Sequence, residues 1–137
     1  PQERIQMVRD FTPHGEGADV VFECAGFLPA ISEGLEYVKQ SGAYIEMGHF
    51  VDVGSMEFNP NQQFMRKNVR MEAILGGRAE CFMRGIPIME RNEFPFSEMV
   101  SHTLPLERVS EGFHALAGGY HLDGKDAVKI ALQGGAL

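Results

Sequence analysis

Gly17-Ala18-Asp19-Val20-Val21-Phe22-Glu23-Cys24-Ala25-Gly26 is the stretch on which the fold turns. Its centre is β-branched and aromatic, shows no clean alternation and is bounded by glycine on both sides. That pattern predicts a parallel strand over Asp19–Cys24, covered on both faces. Pro29 then stands where a helix begins, with Ile31, Leu35 and Val38 at spacings of four and three and Ser41-Gly42 closing the segment. Ala43–Met47 reads as a second strand. Strand, helix and strand in about thirty residues make a βαβ unit with a right-handed crossover, so the two strands are expected to run parallel. Pro60–Lys67 reads as a short helix, and Val69, Met71, Ala73 and Leu75 alternate as a third strand that ends at Gly76-Gly77.

Outward from this centre, Ile5, Val8 and Phe11 place one apolar stripe on a helix over Gln2–Phe11, terminated by Thr12-Pro13-His14-Gly15. Ala79–Arg91 has helical apolar spacing, but Gly85 and Pro87 predict a kink or a split. Leu106, Val109, Phe113 and Leu116 form an amphipathic stripe between Pro105 and Gly118-Gly119. Ala127–Leu132 is a last short strand, with Gly134-Gly135 trailing.

Twelve basic residues against 19 acidic ones give a formal charge of −7, which argues against a nucleic-acid binder that neutralises phosphates. Hydrophobic residues at 44% and charged residues at 23% suit a globular chain with a buried core. No apolar run approaches the roughly 20 residues that cross a bilayer. Cys24 and Cys81 show neither disulfide nor zinc-cluster spacing, so a cytoplasmic location is expected. The chain opens on Pro1 without a signal peptide and reads as a piece of something longer. The eight methionines, Met83 and Met89 among them, read as core filling.

In open parallel sheets, ligands bind outside the carboxyl ends of the strands. All three predicted ends carry glycine: Cys24-Ala25-Gly26, Met47-Gly48-His49 and Leu75-Gly76-Gly77. Glycine there lets a ligand approach the backbone, and three consecutive cases point to a nucleotide-sized ligand across the tips.

This order of motifs resembles the second half of the cofactor domain of medium-chain, zinc-dependent alcohol dehydrogenases. The likeness runs from Gly17–Gly26 through Ser41-Gly42-Ala43-Tyr44-Ile45-Glu46-Met47-Gly48, Asn59-Pro60, Arg66-Lys67 and Ile74-Leu75-Gly76-Gly77. It continues through Val100-Ser101-His102-Thr103-Leu104-Pro105-Leu106 into Val109-Ser110-Glu111-Gly112-Phe113, and is weakest from Arg78 to Glu98. The resemblance implies an α/β fold: the second half of a Rossmann-type parallel sheet, with three strands and crossover helices, plus a C-terminal helix and short strand. It implies a partial dinucleotide-binding domain over residues 1–100 and a segment over 101–137 that returns towards a catalytic domain.

The resemblance also implies a nicotinamide cofactor, NAD or NADP, and a small alcohol or polyol as substrate of the parent enzyme. Cys24, Ala25 and Gly26 match residues near the adenosine half of that cofactor. Met47, Gly48 and His49 match the segment along the nicotinamide and its ribose, and Ala73 and Leu75 match positions whose backbone holds the carboxamide. Lys129 matches a basic residue near the pyrophosphate, where a cation offsets the phosphate charge. Cys24 is expected to be a small, inert, buried residue, His49 a solvated loop residue with no assigned chemistry, and His102 a packing and hydrogen-bonding one.

The G-x-G-x-x-G turn and its distal acidic residue, which decides between NAD and NADP, are missing from the sequence. The zinc ligands of the parent are likewise expected to precede this chain. The piece alone is therefore expected to be inactive. In a sheet of order 3-2-1-4-5-6 its strands are numbers four to six, so the inner edge of Asp19–Cys24 is bare and a homo-oligomer paired through sheet edges is expected. Two alternatives stand beside the alcohol dehydrogenase reading. One is a zinc-free quinone or enoyl reductase of the same superfamily, and the other is a non-catalytic nucleotide-binding or oligomerisation module. Neither nucleic acid nor membrane is an expected partner.

Overall fold

A computed structural model of the chain describes residues 1–134; Gly135, placed in the trailing glycine pair above, lies outside the described residues. The chain forms two compact units, Pro1–Gly77 and Arg78–Leu137.

In the first unit, helix α1 (Gln2–Phe11) is followed by strand β1 (Ala18–Glu23), helix α2 (Leu28–Tyr37), strand β2 (Val38–Glu46) and strand β3 (Arg70–Ala73). The three strands form a parallel sheet in the order β1-β2-β3, as the crossover argument requires. Its core lies on the α2 face, where Leu35, Val38, Tyr44 and Val69 are buried and Val21, Ile31 and Phe64 pack against them. Leu35 and Tyr44 are 0% exposed, and burying each such side chain contributes roughly 1.5–3 kcal/mol. Gly34 on α2 leaves room for the Tyr44 ring, which stands 2.9 Å from where a Cβ would lie.

The strand over Asp19–Cys24 is not covered on both faces: it is an edge strand, and Val20 and Phe22 are exposed. Only the central strand is buried on both sides, by Tyr44 on one face and Ala43 and Ile45 on the other. The second helix does not reach Ser41-Gly42. It ends at Tyr37, and Val38 starts the strand at once. Ser41, at φ 59°, sits where the register slips from Ala18↔Val38 to Val20↔Ala43, so Ser41-Gly42 is a bulge within extended chain. Lys39 clamps the slipped segment with an ion pair to Asp19 at 2.6 Å. In α1 only Ile5 of the predicted stripe is buried, and Phe11 is exposed.

The second unit holds helix α3 (Ala79–Glu90), strand β4 (His102–Pro105), helix α4 (Val109–Ala117), the short strands β5 (His121–Leu122) and β6 (Lys125–Asp126), and strand β7 (Ile130–Gln133). β4 and β7 pair in parallel with α4 between them, a second βαβ unit. β5 and β6 pair antiparallel across Asp123-Gly124, both at positive φ, as a two-residue hairpin of this sequence should be. α3 is one helix with Pro87 inside it, neither split at Gly85 nor at Pro87. Proline removes one backbone donor, and on a helix with no buried residue the carbonyl left over faces water. Met83 and Met89 are exposed on α3 and fill no core. The stripe on α4 is only partly covered: Gly112 and Ala115 are the helix's buried residues, Val109 and Leu116 are half-buried, and Phe113 is exposed on an apolar groove with Leu116, Ile130 and Leu132. His102 packs as expected, 6% exposed, with Nδ1 on the Ser101 hydroxyl and Nε2 on the Leu122 carbonyl, each at 2.9 Å.

Candidate functional site at the strand tips

The parallel register brings Glu23 opposite Glu46 and Glu46 opposite Ala73, so β1, β2 and β3 end side by side at one edge of the sheet. The ladder extends one step further: the Met47 amide donates to the Glu23 carbonyl, and the Ile74 amide to the Glu46 carbonyl, each at 2.9 Å. Cys24, Ala25 and Gly26, then Met47, Gly48 and His49, then Ala73 and Leu75, therefore form one row of adjacent tips. Lys129 belongs to the Arg78–Leu137 unit, where it is exposed just before β7 and makes no ion pair among the described residues.

The first two tips are in backbone contact. Gly26 has φ +63°, and a Cβ on it would collide with the Gly48 carbonyl. A Cβ on Gly48 would collide with the Gly26 amide nitrogen and a Glu23 carboxylate oxygen. At these two positions only glycine fits.

Beneath the tips lies a cluster that the sequence reading passed over. Glu23 and Glu46 end adjacent strands on the same face, and each carboxylate folds back on its own tip. Glu23 accepts from the amides of Ala25 at 2.7 Å and Gly26 at 3.1 Å, and Glu46 from those of Gly48 at 3.0 Å and His49 at 3.1 Å. His49 lies between them, with Nδ1 2.9 Å from Glu46 Oε1 and 3.3 Å from Glu23 Oε2. It is thus not the solvated loop residue expected: its side chain is 14% exposed and that of Glu23 is 3% exposed. Burial pushes the Glu46 carboxyl up, but hydrogen bonds from the His49 ring and backbone and from the Gly48 amide outweigh it and leave the carboxyl below its ordinary range. Tyr44, two residues back on the same face, is pushed up, first by burial and then by the Glu46 and Glu23 charges. Among the described residues its hydroxyl, Glu46 Oε2 and His49 Nε2 are buried without a partner. The signal for this cluster was present in the sequence: a carboxylate closing each apolar strand, followed within three residues by glycine.

Cys24, expected to be buried, is exposed, and both cysteines are free. Glu23, Glu46 and His49 offer ligand-type atoms within 4.8 Å of one another, but backbone amides occupy the oxygens of Glu23 and one of Glu46. The described residues do not fit the zinc centre of cysteine, histidine and carboxylate that the resemblance attaches to the parent enzyme.

The row of tips can be set beside known proteins. Over 131 residues, 96% of the chain, it is 28% identical to the erythritol/L-threitol dehydrogenase of Mycolicibacterium smegmatis, and the match takes in 34% of that protein. The alcohol dehydrogenase of Thermotoga maritima superposes over 98% of the chain and 35% of its own length, with a TM-score of 0.85 and 26% identity. A Sinorhizobium meliloti protein solved bound to NADP shares the fold over 85% of the chain and 32% of its own length, with a TM-score of 0.70 and 17% identity. No protein-family model matches the chain. In class, the chain is similar to the medium-chain alcohol and polyol dehydrogenases. More particularly, it is a counterpart of the C-terminal part of those enzymes and spans about a third of the length of the relatives it matches.

Proposed function

We propose that the chain supplies the rear half of the dinucleotide-binding layer of an oxidoreductase that passes a hydride between an alcohol or polyol and NAD or NADP. The row of three adjacent parallel strand tips supports this reading most directly, because an extended cofactor lies across such ends. Cys24, Ala25 and Gly26 would meet the adenosine half. Met47, Gly48 and His49 would lie along the nicotinamide and its ribose, and the backbone at Ala73 and Leu75 would hold the carboxamide and so orient the ring. Lys129 would answer the pyrophosphate charge. The cofactor supplies the hydride chemistry, while the chain's own residues bind and orient it. Residues 1–100 are assigned to the partial cofactor domain and 101–137 to the segment that returns towards the catalytic domain. The bare edge of β1, with Val20 and Phe22 exposed, supports pairing with another copy through sheet edges.

The test is a titration of the chain with NAD and with NADH, read from amide shifts by NMR. Saturable shifts confined to residues 24–26, 47–49, 73–75 and 129 are expected. Shifts elsewhere, or none, would overturn the reading.

A further inference from the structure

We propose that Glu23, Glu46 and His49 act together as a clasp that fixes the spacing of the first two strand tips and so positions the Gly26 and Gly48 backbones; the ligand they are positioned for rests on the dinucleotide reading above. The three are positioning residues.

Two carboxylates facing each other across neighbouring strands repel, and burying one in addition is costly unless something compensates. Compensation comes here in two layers. Each carboxylate first takes up the amides of its own tip, Glu23 those of Ala25 and Gly26, and Glu46 those of Gly48 and His49. Each loop is thereby curled over the end of its strand. The His49 ring then lies within reach of both carboxylates through the single atom Nδ1. Two loops that leave different strands are thus joined through one imidazole.

A cation site is the competing reading. It needs free oxygen lone pairs, yet among the described residues only Glu46 Oε2 of the four carboxylate oxygens lacks a partner. The donors around the other three are amides and an imidazole, the surroundings of an anion. Gly26 and Gly48 meanwhile touch backbone to backbone, so a change in the clasp has no slack to absorb it and shifts both tips.

The geometry makes a distinction that space-filling would not. In His49→Asn the side-chain nitrogen can stand near the position of Nδ1, whereas in His49→Gln it stands near that of Nε2. Amide hydrogen exchange is measured in the ligand-free chain for Gly26, Gly48 and, as a control of the folded sheet, Tyr44. His49→Asn is expected to keep tip exchange within about threefold of wild type, and His49→Gln and His49→Ala to speed it about tenfold at both glycines, with Tyr44 unchanged. NADH affinity, followed by its fluorescence, is expected to fall in the same order. If Asn and Gln behave alike, or if Ala leaves the tips protected, the clasp is overturned. If wild type ignores NADH, the dinucleotide reading fails, while the exchange comparison still decides the clasp. If the Gln and Ala variants unfold, Glu46→Gln takes their place. It keeps an acceptor for the Gly48 and His49 amides, so it should loosen Gly26 and Gly48 less than Glu46→Ala, and equal loosening would overturn the clasp.

Discussion

Gly26 and Gly48 touch backbone to backbone, across the gap between two parallel strands, with no room for a methyl group on either. Gly48→Ala would drive a Cβ into the Gly26 amide and a Glu23 carboxylate oxygen. The expected outcome is a loss of about 1–3 kcal/mol in urea unfolding. An unchanged midpoint would mean that the tips lie further apart than described.

Among the described residues the buried hydroxyl of Tyr44 has no partner. Tyr44→Phe removes that group and keeps the ring against Gly34, so it is expected to leave stability unchanged or raise it by about 1 kcal/mol. A loss of more than that on thermal unfolding would show that the hydroxyl has a partner in solution, with Glu46, whose charge bears on it, as the candidate.

Leu35 is fully buried at the centre of the core between α2 and the sheet. Leu35→Ala should cost about 2–5 kcal/mol in chemical denaturation. A cost under 1 kcal/mol would contradict that packing.

Acid should loosen the contact between α1 and α2. Hydrogen bonds from Arg4 first, and then from Tyr37, draw the Glu33 carboxyl from 4.5 down to about 2. A carboxyl whose folded value lies below its unfolded one stabilises the fold above the unfolded value and loses that contribution as pH falls through the folded one. Unfolding midpoints should therefore drop between pH 4.5 and about 2, and less steeply in Glu33→Gln. Equal slopes in the two proteins would remove Glu33 as the cause. Glu46, also held low, acts with the same sign.

The open edge of β1 predicts association. At micromolar concentration wild type is expected to sediment as a dimer or larger, and Val20→Lys, which places a charge on that edge, to shift it towards monomer. A monomeric wild-type profile would refute edge pairing.

The parallel sheet was legible because βαβ spacing and glycine-ended strands are local signals with few topological solutions. Val38 misled because it fits the helical stripe of Ile31 and Leu35 while serving the same core from the strand, and periodicity cannot tell those roles apart. The hairpin at Asp123-Gly124 is written in its turn residues, a two-residue signal much shorter than the periodic stripes around it. Phe113 and Met83 misled for another reason: apolar spacing shows which residues share a helix face, not whether anything covers that face. Of the tip site, the glycine positions could be read from the chain. Glu23 and Glu46 could not be paired until strand register set them opposite each other, since charge at a strand end looks like ordinary solvation.

The direct passage from Tyr37 in α2 to Val38 in β2 sets limits on editing this chain. A residue added at that seam has no connector to take it up. It would shift the reading frame of the strand and exchange the inward places of Tyr44 and Glu46 with those of Ala43 and Ile45. The exposed stretch at 50–55, which joins no two strands so tightly, is where a tag or graft belongs.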